Sequence, residues 1–278
     1  MCFHLGMADG GLDQRFLRDR RVAPTLALAL LVLALALAIG AGRWLEPEKA
    51  AGQQNPLAAL LTTTTKPKPK PKPPPYQVPP VTYLANPNGD VPLYNGPNGQ
   101  VVGRVGYYYG YPIATPILQR TKDFLQVRLP TRPNGSTGWI RASDARITST
   151  PYRIQVHRGE TRVYVYKGGY LAFTMPAGLG KSKTPTPLGN FFVAVIENPG
   201  PPGYGPIVLD TSAHSEAIQS WEGAGDAVIA MHGPISSSSD RAIGTNGTYI
   251  SNGCIRLHVA DQQQLFQIPL GTPVDILA

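Results

Sequence analysis

The residues best suited to covalent chemistry lie in Ser251-Asn252-Gly253-Cys254-Ile255-Arg256-Leu257-His258. Cys254 is the only cysteine apart from Cys2; a glycine precedes it, an arginine follows two places later, and His232 lies upstream. A cysteine attacks as its thiolate, which a nearby base or cation favours. Attack on a carbonyl also needs amide donors for the developing oxyanion and a groove for the acyl group. Cys254 and His232 are therefore the candidate nucleophile and base. The tight turn Asn252-Gly253-Cys254 offers successive N–H groups as an oxyanion hole, and Gly253 allows the substrate to approach the backbone. Arg256 points to a carboxylate, either in the substrate or in the protein. The competing reading is a buried cysteine acting as a small hydrophobe, and composition alone leaves the two open.

A step back along the chain gives this thiol a compartment. Residues 22–42 carry no charge, and Arg15, Arg18, Arg20 and Arg21 precede them. Twenty-one uncharged residues as a helix span roughly 30 Å, the hydrocarbon thickness of a bilayer. The arginines predict a cytoplasmic 1–21 segment and an extracytoplasmic remainder, a single-pass protein of the cell envelope. Ala36-Leu37-Ala38 is a possible cleavage site that would release the protein from the membrane, but the apolar run continues past it, which favours a retained anchor. Exported proteins commonly use disulfides, yet Cys2 and Cys254 fall on opposite sides of the apolar run. A single thiol in such a compartment invites a catalytic explanation.

Residues 43–80 form a linker that ends in alternating lysine and proline from Lys66 onwards. Proline enforces polyproline II and like charges resist collapse, so 66–80 is expected to reach roughly 45 Å as a semi-rigid spacer. Ten of the 25 Lys+Arg and five of the 17 Asp+Glu precede residue 81, so much of the net charge of +8 belongs to this leader. A folded basic face for nucleic acid is absent from the pattern. No histidine or cysteine pair has metal-ligand spacing and no Gly-rich loop opens a helix after a strand, so neither a metal nor a cofactor is expected.

The rest reads as mainly β. Turn signals at Asn86-Pro87-Asn88-Gly89, Asn95-Gly96-Pro97-Asn98-Gly99 and Pro133-Asn134-Gly135 separate short apolar runs within 81–148. Tyr107, Tyr108, Tyr109 and Tyr111 suit packing or a domain interface better than a ligand patch. From 152 to 278 a second unit alternates as strands at 152–156, 161–166 and 170–174, the last two joined at Gly168-Gly169, then at 190–196 and 272–277. One short helix is predicted at 259–266. His157 and His214 are expected at the surface, the latter in a polar loop; His258 either supports the catalytic loop or packs.

Three motifs in order, Thr184-Pro185-Thr186-Pro187-Leu188-Gly189-Asn190-Phe191, Met231-His232-Gly233-Pro234 and the cysteine octapeptide, resemble the L,D-transpeptidase (YkuD-like) catalytic domain over about 152–278. The 81–148 strands and Gly138-Trp139-Ile140 resemble a bacterial SH3-like module, a small barrel that accompanies wall enzymes. The first resemblance implies a β-rich fold in which Cys254 attacks the carbonyl between the third and fourth residues of a peptidoglycan stem tetrapeptide. An amine of a second stem then resolves the acyl-enzyme into a 3→3 cross-link. It implies His232 as base and the amides of Gly253 and Cys254, with Asn252, as oxyanion hole. The same resemblance implies that Arg256 supports the loop or meets a stem-peptide carboxylate, that Tyr204 and Ser251 meet substrate, that Tyr204 and Gly205 belong to a substrate lid, that Met175 and Thr186 flank the site, and that His258 and Gly233 give support. Where many members have histidine before Gly-Cys this chain has Asn252; Val259 replaces an asparagine, and the 233–251 interval is longer, with four serines at 236–239. An L,D-carboxypeptidase or a non-catalytic wall-binding protein are the alternatives; the usual cysteine and arginine contexts of a sortase are absent from this chain. Partners are stem peptides and the membrane, and no dimer seam is evident, so a monomer is expected.

Overall fold

The structure, a computed structural model, describes residues 77–221, 225–245 and 248–278. The expected basic segment at 1–21, the apolar span at 22–42 and the linker up to residue 76 lie outside the described residues. No helix among the described residues is long and apolar enough to cross a membrane.

Residues from Thr82 to Thr150 make a seven-stranded sheet, ordered Val101–Val105, Val91–Tyr94, Thr137–Arg141, Phe124–Arg128, Thr115–Arg120, Thr82–Pro87 and Ala145–Thr150. Residues from Tyr152 on make an eight-stranded sheet, ordered Tyr170–Pro176, Arg162–Lys167, Tyr152–His157, Pro273–Leu277, Gly189–Glu197, Val208–His214, Val228–His232 and Ile255–Arg256. Two of its pairings are parallel: Tyr152–His157 with Pro273–Leu277, and Val228–His232 with Ile255–Arg256. The hairpin between Arg162–Lys167 and Tyr170–Pro176 closes through Gly168 and Gly169 at φ 60° and 88°, left-handed values that a two-residue hairpin turn requires and glycine supplies.

Gly189–Glu197 explains its own apolar run. Phe191 and Val193 face a core built with Ile154, Val163, Leu209, Met231 and Val274, while Phe192 and Ala194 face Leu125, Val127 and Ile140 of the first sheet, with Tyr108 beside them. A strand buried on both faces loses alternation and reads as continuous hydrophobe. The first sheet thus packs directly on one face of the second, and the tyrosine tip, Tyr107–Tyr108 paired with Tyr111–Pro112, contributes Tyr108 to that contact.

Three expectations need correction. The helix predicted at 259–266 is α-helical only over Val259–Gln262 and continues as a 3-10 turn, Gln263–Gln267. It is also not the one helix: Ser237–Ala242 forms another inside the serine-rich interval, where the Ser236 side chain caps the N–H of Ser239, the usual use of serine at a helix start. His214 is not in an exposed loop; it ends the strand Val208–His214 and is 1% exposed.

Phe192 is fully buried between the sheets, so Phe192→Ala is expected to cost about 3–5 kcal/mol. Hydrogen exchange should show Leu125 and Val193 losing protection together. Loss confined to one sheet would mean that the shared core does not couple them.

Candidate active site

The eight-stranded sheet ends on a strand of two residues, Ile255–Arg256, and Cys254 stands at its entry. Met231 pairs with Ile255 and His232 with Arg256. Met231 and Ile255 point into the core, so alternation turns His232 and Cys254 to the opposite face. Both line one narrow cavity of about 40 Å³, with Tyr204, Ser215, Ile218, Trp221, Ala227, Val228, Asn252 and Arg256 among its other walls. Cys254 is a half-buried thiol outside any disulfide.

His232 is 2% exposed, and its Nδ1 lies 2.7 Å from the carbonyl oxygen of Gly233. A carbonyl only accepts, so in the neutral ring Nδ1 carries the proton and Nε2 keeps a lone pair, the form a general base needs. The support continues outward. The Gly233 N–H donates to the Tyr204 carbonyl at 2.7 Å, and the Tyr204 ring lies 4.7 Å from the imidazole, centroid to centroid. Gln262, wholly buried, donates from Nε2 to the carbonyls of Tyr204 (3.0 Å) and Ile207 (2.7 Å). A Cβ on Gly233 would stand 2.8 Å from Gln262 Oε1, which explains that glycine sterically. Gln262 escaped sequence reading; a glutamine inside a helix looks like a solvated residue, and only its burial betrays its role.

The cysteine turn is tied from within. Ser251 is buried, accepts from the Gly253 N–H at 3.0 Å and donates to the Cys254 carbonyl at 2.6 Å. Ser251, expected at the substrate, ties the loop from within, and the Gly253 amide, expected at the oxyanion, donates to Ser251 in this structure. Gly253 has φ 127° and its Cβ would lie 2.7 Å from Ile229 Cδ1, so both backbone and space demand glycine. Thr186, fully buried, donates to the Gly253 carbonyl at 2.8 Å and accepts from the Gly180 N–H at 3.0 Å. The Thr-Pro-Thr-Pro segment therefore braces the turn from below. Met175 is a core residue.

Arg256 lines the cavity, yet its Nη1 donates to Ser239 Oγ at 3.1 Å and reaches the Ile250 carbonyl at 3.5 Å. His258 Nδ1 meets Asp240 Oδ1 at 2.6 Å. Both residues thus tether the Ser237–Ala242 helix, the lengthened part of the chain, to the cysteine turn. His157 stays on the outer side of its strand, with Nδ1 at 3.4 Å from Glu160.

One carboxyl was overlooked. Asp210 is 1% exposed and neither side-chain oxygen has a hydrogen-bond partner among the described residues. It sits directly across the ladder from Ala230, on the same face as the thiol. Burial above all, then the nearby Glu197 carboxyl and the Cys254 thiol, push its pKa well above the usual carboxylate range. No group of three or more potential ligands gathers for a metal among the described residues.

A thiol and an imidazole opening on one cavity at a sheet edge form a site suited to nucleophilic attack on a carbonyl. A family model described as the YkuD L,D-transpeptidase catalytic domain matches residues 151–276. A Bacillus licheniformis protein that bears the name "Putative L,D-transpeptidase YkuD" is 31% identical over 160 residues, which cover 54% of this chain and 85% of the relative. The chain belongs to the L,D-transpeptidase family. Among solved structures, the catalytic domain of the E. faecium L,D-transpeptidase aligns at 23% identity over 45% of this chain and 96% of its own, with a TM-score of 0.34. L,D-transpeptidase 3 of Mycobacterium tuberculosis, in complex with a faropenem-derived adduct, aligns at 14% identity over 56% and 92%, with a TM-score of 0.36.

Asp210 also sets a pH dependence. The folded protein keeps a proton that the unfolded chain releases above about pH 3.9, so this residue costs stability as pH rises from there towards its raised folded pKa. Asp210→Asn removes that cost. Its stability advantage over the parent, from denaturant unfolding between pH 4 and pH 8, should widen with pH by at most about 1.4 kcal/mol per unit. An advantage that shrinks as pH rises would contradict the buried neutral acid.

Proposed function

We propose that this chain is a peptidoglycan L,D-transpeptidase that forms 3→3 cross-links through an acyl-enzyme on Cys254. The observation that carries the reading is the shared cavity of Cys254 and His232, with the imidazole tautomer pinned by the Gly233 carbonyl. In this mechanism Nε2 of His232 takes the proton of the Cys254 thiol. The thiolate adds to the carbonyl between the third and fourth residues of a stem tetrapeptide, and the negative oxygen is held by donors at the 252–254 turn. Collapse breaks the C–N bond, and His232 returns the proton to the departing D-residue amine. The amine of a second stem then attacks the thioester, loses its proton to His232 and releases the thiol.

The arginine-flanked apolar segment at 22–42 and the Lys-Pro linker support a site outside the membrane, anchored by the N-terminal segment and reaching peptidoglycan stems. In this reading the 81–148 unit is an SH3-like module that accompanies the catalytic domain, and the enzyme works as a monomer.

Cys254→Ala is expected to abolish both acylation by a carbapenem, read as a single mass adduct on the intact protein, and dimer formation from purified tetrapeptide muropeptides. Surviving 3→3 dimers would refute the assignment. Omitting the acceptor stem separates the alternatives, because a product dominated by free tripeptide even with acceptor in excess would make the protein an L,D-carboxypeptidase.

His232→Ala should slow alkylation of Cys254 by iodoacetamide near neutral pH by about 10²-fold or more, the scale of a lost general base. An unchanged alkylation rate would remove His232 from the base role.

A further inference from the structure

The cavity over Cys254 is walled partly by residues that the first sheet holds in place. Its walls include Ser215, Ile218 and Trp221 on one limb and Ala227 and Val228 on the other. The limbs meet where His214 pairs with Val228, and the Ser215 N–H donates to the Ala227 carbonyl at 2.8 Å. The turn between the first-sheet strands Phe124–Arg128 and Thr137–Arg141 reaches across to both.

Asn134 makes two bonds to one residue: Nδ2 donates to the His214 carbonyl at 2.8 Å, and Oδ1 accepts the His214 N–H at 2.9 Å. Arg132 spans the limbs. Its Nε donates to Asp226 Oδ1 at 2.9 Å, and its Nη2 donates to the Ile218 carbonyl at 3.1 Å while lying 2.8 Å from Asp226 Oδ1. Asp226 in turn accepts the Ala227 N–H at 2.7 Å. The His214 ring is caught between the two units, with Nε2 at 3.2 Å from the Pro130 carbonyl and Nδ1 at 2.7 Å from Asp226 Oδ2. The Arg132 and Asp226 side chains are 29% and 19% exposed, shielded enough for a charge-assisted pair to hold geometry. None of these side chains lines the cavity. Their common effect is on where Ile218, Trp221 and Val228 stand.

We infer that Arg132 and Asn134 are positioning residues for acyl-donor recognition: the first sheet sets the donor-facing wall of the transpeptidase cavity. The wall they hold has a defined chemistry. Ile218, Val228 and Ile229 present apolar surface, and the Trp221 indole N–H has no acceptor among the described residues. That combination fits a peptide-like chain, with methylene or methyl groups against the aliphatic wall and one backbone carbonyl for the indole. The inference rests on the acyl-transfer reading above and adds to it the source of donor selectivity.

The test uses the full-length protein with Arg132→Ala, Asn134→Ala and the conservative Arg132→Lys. Loss of charge-assisted bonds at the wall should raise KM for the tetrapeptide donor about tenfold in the alanine variants, with a much smaller change in kcat. Arg132→Lys should fall between parent and Arg132→Ala, since an ammonium reaches Asp226 but cannot also fork to Ile218. Iodoacetamide alkylation of Cys254 should stay within about twofold of the parent, because the thiol–imidazole pair is untouched. An unchanged KM in both alanine variants overturns the inference. So does a parallel fall in alkylation and turnover, which would make these contacts props of the fold and not of the wall. Amide exchange at Ile218 and Ala227, expected to quicken in Arg132→Ala, needs no substrate. A parent protein that turned over no tetrapeptide would therefore sink the functional reading while exchange still decided whether Arg132 holds the wall; unaltered exchange there also overturns the inference.

Discussion

One short parallel pairing, Met231 with Ile255 and His232 with Arg256, decides where the thiol stands relative to the imidazole. Two residues of ladder are weak by themselves, so the chain braces them from every side. Gly178 bridges Arg256 across the outer edge with reciprocal N–H to carbonyl bonds of 2.8 Å. Leu257 donates to the His232 carbonyl at 2.8 Å, Thr186 holds the Gly253 carbonyl, and Ser251 closes the turn on itself. The motif residues that surround Cys254 are thus mostly structural. They fix a glycine turn at φ 127° so that the next residue emerges on the face that His232 already occupies.

That face carries a second constraint. Asp210 pairs with Ala230 and lies near enough to Cys254 for the two groups to interact electrostatically. Were Asp210 ionised, its charge would oppose formation of a thiolate beside it, at an effective strength well above that in water. Burial eases the conflict by pushing the acid's pKa up, towards its neutral form. His214, farther along the same strand, follows the same logic in the opposite sense: burial pushes its imidazole below the ordinary histidine value even though the Asp226 carboxylate pulls the other way. Burial thus biases both titratable groups of Val208–His214 towards their uncharged forms, against the pull of Asp226 on His214.

Legibility followed burial. Strands with one wet face, such as Tyr152–His157, alternate in sequence and were readable, as was the Gly-Gly hairpin, because one backbone geometry demands those residues. The apolar run of Gly189–Glu197 was readable as a strand for the opposite reason, being buried on both faces. Val208–His214 was not, since its aspartate, threonine, serine and histidine suggest solvent while the structure buries all seven residues. Cys254 and His232 were legible from residue type and order. The roles of Ser251, Gln262 and Asp210 were not, because a side chain that satisfies a neighbouring carbonyl and one that meets a substrate look alike until the direction of each bond is known.

The first sheet changes meaning on the same grounds. From sequence its strands and turns suggested an accessory module, and its tyrosines packing or a domain interface. In the folded chain Phe192 and Ala194 of the catalytic sheet have their apolar partners in Leu125, Val127 and Ile140, so that face of the sheet would stand in water without the first unit. The Pro133-Asn134-Gly135 turn, conspicuous only as punctuation, delivers Asn134 to the backbone of His214 at the edge of the cavity. A sheet that must be covered for stability is covered by a unit whose loop also reaches the active-site wall. The two roles are inseparable in this geometry, because the same face of the sheet carries the buried core at one end and the thiol at the other.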